Sequence, residues 1–254
     1  MVLHTLKSGS GQEIIFLHGL FGDGKNLYPI SRELENYYTC LLTDQRNHGK
    51  SPHADAFSYP VLAADVKETI DVSGIGDCVV IGHSMGAKTA MEFALAFPET
   101  IKALICMDSS PGRYNMRYDN LAESMKNMDL LNIESREEAF KYLVSLGIDV
   151  SEARFLLKNL VRGNNGFEWR INLVSLINNY ENIWAAIDVG RVYNGPVLFL
   201  KGRNSDFIKH SDYSLIKGMF PNASIKEIDK AGHWLHVDNP EQCVSEIIEF
   251  LNTV

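Results

Sequence analysis

Residues 78–97 read CVVIGHSMGAKTAMEFALAF, and this stretch decides the fold. Cys78–Ile81 is a short, continuous apolar run, which is typical of a parallel strand covered on both faces. The run that begins at Ser84 has helical spacing and stops before Pro98, where a helix is expected to end. The G-x-S-x-G motif at 82–86 therefore sits between a strand and a helix, the context that a nucleophile elbow requires.

The tightness of such a turn explains its residue types. The positions two before and two after the serine must be small, and both are glycines here. We expect the turn to hold the Ser84 hydroxyl at the carboxyl edge of the sheet, at the positive end of a helix dipole. We therefore interpret Ser84 as a nucleophile.

Outward from this elbow, similar apolar runs predict the other strands of the sheet. Four of them are four or five residues long and lack polar alternation: Ile14–Leu17, Cys40–Thr43, Ala103–Met107 and Val197–Leu200. A weaker run, Ser224–Ile228, comes near the end of the chain. Helical spacing at Asn26–Asn36 and Tyr59–Val72 fills two of the intervals. Strands that alternate with helices predict the α/β class, with a mostly parallel sheet and helices on both faces.

One interval, from Pro111 to Pro196, contains no run typical of a buried strand. It carries helical patterns instead, at Arg136–Leu146, Ser151–Leu160 and Trp169–Tyr180. A gap of this length between neighbouring strands is too long for a loop. We therefore predict a single core domain, residues 1–111 and 191–254, interrupted by an inserted helical lid at residues 112–190.

The composition is that of a globular protein and argues against several classes of function. Lys plus Arg is 24 and Asp plus Glu is 32, which gives a net charge of −8 over 254 residues. A chain this acidic gains nothing from counterion release on nucleic acid and is repelled by anionic membranes. No apolar run approaches the roughly 18 residues of a spanning helix, so we expect no nucleic-acid partner and no membrane insertion.

Cysteine usage and the first residues indicate a reducing compartment. The four cysteines, at positions 40, 78, 106 and 243, are widely spaced, and no pair has C-x-x-C spacing. This pattern argues against a disulfide framework and against a structural zinc site. Residues 1–12 contain no apolar stretch like that of a secretory signal, so we expect a cytoplasmic protein. We predict neither a metal nor a cofactor.

A serine nucleophile needs a base, and the base needs an orienting acid. His233 follows the last predicted strand, where the base of this architecture is expected. Two aspartates lie near strand ends between Ser84 and His233. Asp108 comes directly after the strand that follows the elbow, whereas Asp206 comes one residue later than the usual position, which Ser205 occupies. We favour Asp108 as the acid and keep Asp206 as the alternative.

The oxyanion of an acyl-transfer intermediate needs backbone N–H donors. Met85, the residue after the nucleophile, is one candidate donor, and Leu20, in the glycine-containing loop after the first predicted strand, is the other. Substrate selection is expected in the lid and in apolar residues such as Phe21, Trp184 and Trp234. Their character favours a hydrophobic acyl group.

Two further motifs follow predicted strands. Residues 19–26 read GLFGDGKN, a P-loop pattern with Asn26 where a magnesium-binding Ser or Thr belongs. Asp23 would place a negative charge in the phosphate cradle, so we do not expect nucleotide binding. Residues 44–51 read DQRNHGKS, and we interpret their charged side chains as a buried network that braces the loops beside the site.

Together these residues resemble the α/β-hydrolase family over essentially the whole chain, and within it the YbfF-type bacterial esterases. The resemblance rests on HGLFG at 18–22, DQRNHGKS at 44–51, GHSMG at 82–86, FEWRIN at 167–172, GRNS at 202–205 and AGHWLH at 231–236. It implies a serine carboxylesterase or acyl-thioester hydrolase without a cofactor. The subgroup is expected to carry its acid after the earlier strand, which supports Asp108, although the presence of Asp206 departs from that pattern.

We therefore expect cleavage of a small-molecule carboxylic ester or acyl thioester through an acyl-enzyme on Ser84. Carbon–carbon bond hydrolases and cofactor-free perhydrolases use the same triad and stay open as alternatives. Dehalogenases and epoxide hydrolases need an aspartate nucleophile. Because the elbow carries Ser84 instead, these two classes are excluded. A non-catalytic binding protein of the same fold is disfavoured because no triad member is missing from the sequence.

Overall fold

A seven-stranded sheet forms the centre of the protein in a computed structural model, which describes residues 1–115, 119–164 and 166–254. The strands are β1 Thr5–Gly9, β2 Gln12–Leu17, β3 Tyr38–Thr43, β4 Cys78–His83, β5 Ile101–Met107, β6 Leu160–Gly163, β7 Gly166–Trp169, β8 Val197–Gly202 and β9 Ala223–Ile228. The order in the sheet is β1-β3-β2-β4-β5-β8-β9, and β6 pairs with β7 in a separate hairpin. Within the sheet all neighbouring pairs are parallel except β1 and β3, so the predicted mostly parallel sheet is confirmed.

Helices cover both faces of this sheet, as the sequence predicts. In the described part of the chain they are α1 Tyr28–Leu34, α2 Tyr59–Ser73, α3 Met85–Ala96, α4 Asp119–Lys126, α5 Arg136–Ser145, α6 Val150–Leu156, α7 Leu173–Asn178, α8 Tyr180–Trp184, α9 Tyr213–Met219, α10 Leu235–Asp238 and α11 Pro240–Leu251. Apolar side chains of α2, α3 and α9 join the core on one face, and those of α1 and α11 join the core on the other.

The central strand, β4, contains the continuous apolar run Cys78–Ile81. It pairs with β2 on one side and with β5 on the other, and all of its residues are buried. A strand covered on both faces has no solvent side on which polar residues could alternate, which is why the run is continuously apolar. Because β2, β4, β5, β8 and β9 are parallel, the loops that follow them meet at one edge of the sheet.

Between β5 and β8 the chain leaves the sheet and forms α4 to α8 and the β6–β7 hairpin. We call residues 112–190 the inserted segment. The helix predicted at Arg136–Leu146 is confirmed as α5, but the helix predicted at Trp169–Tyr180 is wrong at its start, because Trp169 ends β7 and α7 begins at Leu173. The two strands of the hairpin have four residues each, which is too short to show the two-residue period of a strand.

Strand β1 is also not predicted by the pattern of apolar residues. It is an antiparallel edge strand, TLKSG, and none of its side chains is buried. An edge strand without a buried face carries no alternation that would reveal it. The helix predicted at Asn26–Asn36 is present in part, since a 3₁₀ turn at Gly24–Leu27 precedes α1.

Two remaining expectations concern cysteines and membranes. Cys40, Cys78, Cys106 and Cys243 are all buried free thiols. In residues 1–115, 119–164 and 166–254, no helix has both the length and the apolar character needed to cross a membrane.

Candidate active site

The sharp turn between β4 and α3 presents Ser84 at the carboxyl edge of the sheet. Ser84 adopts φ +55° and ψ −118°, a conformation that an L-residue rarely adopts unless its surroundings impose it. A Cβ atom on Gly82 would collide with the carbonyl oxygen of Gly86, and one on Gly86 would collide with that of Leu17. The Ser84 N–H donates to the Met107 carbonyl at 3.0 Å, which ties the turn to the end of β5.

Ser84, His233 and Asp108 lie in one hydrogen-bonded chain. Nε2 of His233 is 2.9 Å from the Ser84 hydroxyl oxygen, and Nδ1 of His233 is 2.8 Å from Oδ2 of Asp108. Asp108 is fully buried, and its Oδ1 accepts the Gly202 N–H at 3.0 Å. Its Oδ2 also accepts a short hydrogen bond from the Ser205 hydroxyl. These are the donors that a buried carboxylate requires in place of water.

The two candidate acids therefore lie in different surroundings. Asp108 directly follows β5 and contacts His233, whereas Asp206 is exposed in the bend after β8. The residue of that bend that reaches the buried carboxylate is Ser205. The residue at the usual position of the acid is thus a hydroxyl donor to Asp108.

The surroundings of His233 restrict how its ring can move. Phe207 stacks on it with ring centres 3.7 Å apart, and Nε2 of His83 donates to the His233 carbonyl at 2.8 Å. Burial, together with the neighbouring imidazoles, lowers the pKa of His83 well below its ordinary value. Burial, then His233 and Lys158, lowers the pKa of His236 to about 4. His83 and His236 are therefore neutral neighbours of His233 at neutral pH.

The two expected oxyanion donors, Leu20 and Met85, both border one cavity with Ser84. Met85 is the first residue of α3, where a backbone N–H has no partner within the helix. Leu20 lies in the loop after β2, which packs closely on Ser84, since a Cβ on Gly19 would be 3.3 Å from that of Ser84. Among the described residues, neither the Leu20 nor the Met85 N–H has a hydrogen-bond partner.

The cavity above Ser84 has a volume of about 360 Å³ and is walled mainly by apolar side chains. Phe21, Trp184 and Trp234 all line it, so the three expected substrate-binding residues are brought together. Other lining residues are Tyr59, Leu121, Phe155, Ile183 and Phe207, with Glu152 and Arg154 from α6 and Lys158 from the 3₁₀ turn after it. Sequence reasoning missed these residues because they come from separate elements and share no local pattern.

Lys88 is a further residue of the cavity wall that sequence reasoning missed. It is buried on α3, and its ammonium donates to the carbonyls of Gly112 and Ala185, each at 2.5 Å. The ring of Tyr114 lies 4.6 Å from the ammonium. Burial, and secondarily Arg113, lowers the pKa of Lys88 to about 7. A lysine on the buried face of a predicted helix is the signal that could have revealed it.

The loop at residues 44–51 forms the buried network that the sequence suggests. Asp44 accepts the Gly24 N–H at 2.8 Å, and Arg46 forms a two-point ion pair with the buried Asp65 of α2. These bonds attach the loop to two neighbouring parts of the chain. Its interpretation as a brace is therefore supported.

The P-loop pattern at residues 19–26 does not form an anion cradle. The Gly24 N–H already donates to Asp44, and the Asp23 N–H donates to the side-chain oxygen of Asn26 at 2.7 Å. Carboxylate and amide oxygens thus occupy donors that a phosphate would need. The expectation that this motif does not bind a nucleotide is consistent with this geometry.

Comparisons with known proteins agree with this architecture. A sequence model of the family described as alpha/beta hydrolase fold matches residues 13–240. The chain is 37% identical to the sn-1-specific diacylglycerol lipase ABHD11 of Danio rerio, over 96% of this chain and 79% of that protein. It is 31% identical to the esterase YbfF of Escherichia coli strain K12, over 94% of this chain and 92% of that protein. A solved structure called marine microorganism esterase matches with a TM-score of 0.94 and 40% identity, over 98% of this chain and 99% of that one.

Proposed function

Because the chain belongs to the α/β-hydrolase family and is a hydrolase acting on ester bonds, we propose that it works through an acyl-enzyme on Ser84. The observation that carries this proposal is the hydrogen-bonded chain from Ser84 through His233 to Asp108. A hydroxyl becomes a useful nucleophile when an adjacent base can take its proton as it attacks. The distances of 2.9 and 2.8 Å fit that role.

In the first half of the reaction, Ser84 attacks the acyl carbonyl carbon while His233 Nε2 takes the hydroxyl proton. The carbonyl oxygen becomes an oxyanion, and the N–H groups of Leu20 and Met85 stabilise it. When the intermediate collapses, the protonated His233 gives its proton to the leaving alcohol or thiol. The acyl group stays on the serine as an ester.

In the second half, His233 takes a proton from water, and the resulting hydroxide equivalent attacks the acyl-serine. Collapse of this second intermediate returns the proton to Ser84 and releases a carboxylic acid. Asp108 holds the Nδ1–H of His233 through both halves, so Nε2 is always the nitrogen that faces the serine. The donors from Gly202 and Ser205 hold the carboxylate of Asp108 in place.

The substrate is proposed to be a small molecule with an apolar acyl group, joined as an ester or as a thioester. The apolar wall formed with Phe21, Trp184 and Trp234 supports an acyl chain in the cavity. The names of two relatives, a diacylglycerol lipase and an esterase, support a lipid or simpler ester as the substrate class. We assign the inserted segment, residues 112–190, the role of a lid over this cavity. A cytoplasmic location without a cofactor stays a prediction.

Hydrolysis of two parallel substrate series tests this proposal. One series contains p-nitrophenyl esters and the other contains acyl thioesters, each with acyl chains from acetyl to palmitoyl. We expect wild-type protein to hydrolyse members of at least one series with a clear preference for one chain length, and Ser84→Ala to lose that activity. Unchanged hydrolysis by folded Ser84→Ala, or no hydrolysis of either series by wild type, would contradict the proposal.

A further inference from the structure

The turn at residues 19–22 contains Phe21 in an unfavourable backbone conformation. The Gly22 N–H donates to the Gly19 carbonyl at 3.1 Å and closes the turn. Phe21 occupies the third position of the turn with φ +60°, in the left-handed region that a bulky residue disfavours. Such a conformation persists only where the surroundings impose it. The contacts that hold Phe21 therefore bear on the function of this loop.

Two polar contacts hold Phe21: the side-chain amide of Asn159 donates to its carbonyl at 2.7 Å, and His48 accepts from its N–H. The Phe21 N–H donates to Nε2 of His48 at 3.2 Å. Nδ1 of His48 lies 2.9 Å from the Arg46 carbonyl, which can only accept, so Nδ1 carries the proton and Nε2 accepts. The ring is fully buried, and burial, then His18, lowers the pKa of His48 to about 3. His48 is therefore a neutral acceptor at neutral pH.

A second histidine makes the reciprocal contact. Nε2 of His18 accepts the Gln45 N–H at 3.0 Å, and its Nδ1 donates to the Gly19 carbonyl at 2.8 Å. The two imidazole rings meet edge to face, with centres 5.1 Å apart. The loops at 18–22 and 44–51 thus exchange two bonds, each from a backbone N–H of one loop to a neutral imidazole of the other.

Two N–H groups of the turn are occupied in this arrangement. The Phe21 N–H is bonded to His48, and the Gly22 N–H is bonded to the Gly19 carbonyl. The Leu20 N–H has no partner among the described residues, and Leu20 borders the cavity beside Ser84. A change in the Phe21 conformation would rotate the adjoining peptide units and move this donor.

We infer that His48 is a positioning residue for the oxyanion hole. It acts through the Phe21 N–H: this bond, together with the bond from Asn159 to the Phe21 carbonyl, fixes the turn and keeps the Leu20 N–H aimed at the oxyanion. The inference rests on the proposed function, since that function assigns Leu20 as an oxyanion donor. Loss of one such donor lowers kcat by roughly 100- to 1,000-fold in enzymes of this type, which sets the upper limit of the effect.

Two substitutions separate the acceptor from the bulk of the ring. His48→Leu fills the site without an acceptor, whereas His48→Gln carries a side-chain oxygen close to the position of Nε2. With p-nitrophenyl acetate we expect His48→Leu to lower kcat by roughly 10- to 100-fold, within the limit for one donor, and to leave KM nearly unchanged. His48→Gln should recover most of the lost kcat. His53→Leu, at an exposed position in the next stretch of chain, is the matched control and should retain wild-type kcat.

Inhibitor affinity distinguishes positioning from a general loss of structure. An alkyl trifluoromethyl ketone forms a tetrahedral adduct with the serine and places an oxyanion in the hole. A non-reacting alkyl amide of the same length occupies the cavity only as a ground state. His48→Leu should weaken the ketone by the same factor as kcat/KM and leave the amide unchanged. Equal weakening of both inhibitors, or wild-type kcat in His48→Leu, would overturn the inference.

A measurement on the wild-type protein covers the case in which His48→Leu does not fold. Long-range proton–nitrogen NMR spectra report which nitrogen of each histidine is protonated, and His48 should carry its proton on Nδ1 alone. A proton on Nε2 would exclude the hydrogen bond from Phe21 and the inference with it. Absence of both ester and thioester hydrolysis by wild type would instead refute the proposed function. Normal wild-type hydrolysis together with an unaffected His48→Leu would refute only the role of His48.

Discussion

The carboxyl edge of the sheet and the inserted segment contribute to the same cavity in opposite ways. At the sheet edge the buried Asp108 has defined partners: it accepts from His233, Gly202 and Ser205. The inserted segment contributes large apolar side chains to the cavity wall, such as Phe155 and Trp184. Hydrogen bonds depend steeply on distance and angle, whereas apolar contacts do not. The sheet edge is therefore suited to the chemistry, and the inserted segment to the choice of substrate.

The two regions are joined where the inserted segment leaves the core and returns to it. The Tyr114 N–H donates to the Trp184 carbonyl at 3.0 Å, so the outgoing and returning chains are paired. Lys88 of α3 donates to a carbonyl on each of these chains. Because Lys88 lies one helical turn after Ser84, the helix that begins directly after Ser84 also holds both ends of the inserted segment.

The largest effect should come from the sheet edge. Asp108→Asn keeps the shape of the acid but allows His233 to adopt the wrong tautomer, and we expect kcat to fall by about 10⁴-fold. Asp206→Asn should stay near wild type, because Asp206 is exposed in the bend after β8. Steady-state kinetics with p-nitrophenyl acetate measure both variants. A large loss in Asp206→Asn with little loss in Asp108→Asn would reverse the assignment of the acid.

The junction between the two regions should show an intermediate effect, on stability. Lys88→Met keeps the aliphatic chain and leaves the carbonyls of Gly112 and Ala185 without their donor. An unsatisfied buried acceptor costs about 1–3 kcal/mol, so the free energy of unfolding should fall. Urea denaturation of wild type and Lys88→Met at pH 7 measures this difference. A variant as stable as wild type would show that Lys88 does not hold the two regions together.

Wild type and Lys88→Met should also differ in how their free energy of unfolding depends on pH. The pKa of Lys88 is about 7 in the folded protein and close to its ordinary 10.5 when unfolded, so the unfolded chain binds more protons between these values. The free energy of unfolding of wild type should therefore rise with pH over this range, by up to about 1.4 kcal/mol per pH unit, relative to Lys88→Met. A pH-independent difference would show that Lys88 titrates at its ordinary value.

The inserted segment should show the smallest effect, confined to long substrates. Phe155→Ala removes a half-buried ring from the cavity wall, and we expect KM for palmitoyl esters to rise by about 10-fold because apolar contact is lost. KM for acetyl esters should not change. Phe140→Ala, on α5 and outside the cavity wall, is the matched control in the same segment. Equal effects on acetyl and palmitoyl esters would show that the inserted segment does not select the length of the acyl chain.

The same contrast explains how much could be predicted from the sequence. The strands of the sheet were identifiable because burial on both faces leaves uninterrupted apolar runs, as in Cys78–Ile81. Ser84 was identifiable because the elbow is a local motif, and His233 because the expected order of the three residues along the chain places the base after the last strand. Strand β1 and the β6–β7 hairpin were missed, since an exposed edge and four-residue strands produce no period.

Roles that depend on distant contacts could not be read in this way. Asp108 and Asp206 both lie near strand ends, and only the three-dimensional structure shows that Asp108 contacts His233. His48 is 27 residues from Phe21, and Lys88 contacts a carbonyl 97 residues away. A sequence pattern records local periodicity, so it contains no signal for such pairs.

Mass spectrometry of the intact protein after reaction with a fluorophosphonate tests the central claim most directly. The claim is that Ser84 is the nucleophile and forms a covalent intermediate. We expect one phosphonyl group per chain, located on Ser84 by peptide mapping, and no modification of Ser84→Ala. Labelling should also be slowed by the best substrate of the ester or thioester series. Modification of another residue, or an unlabelled Ser84 in folded wild-type protein, would contradict the account.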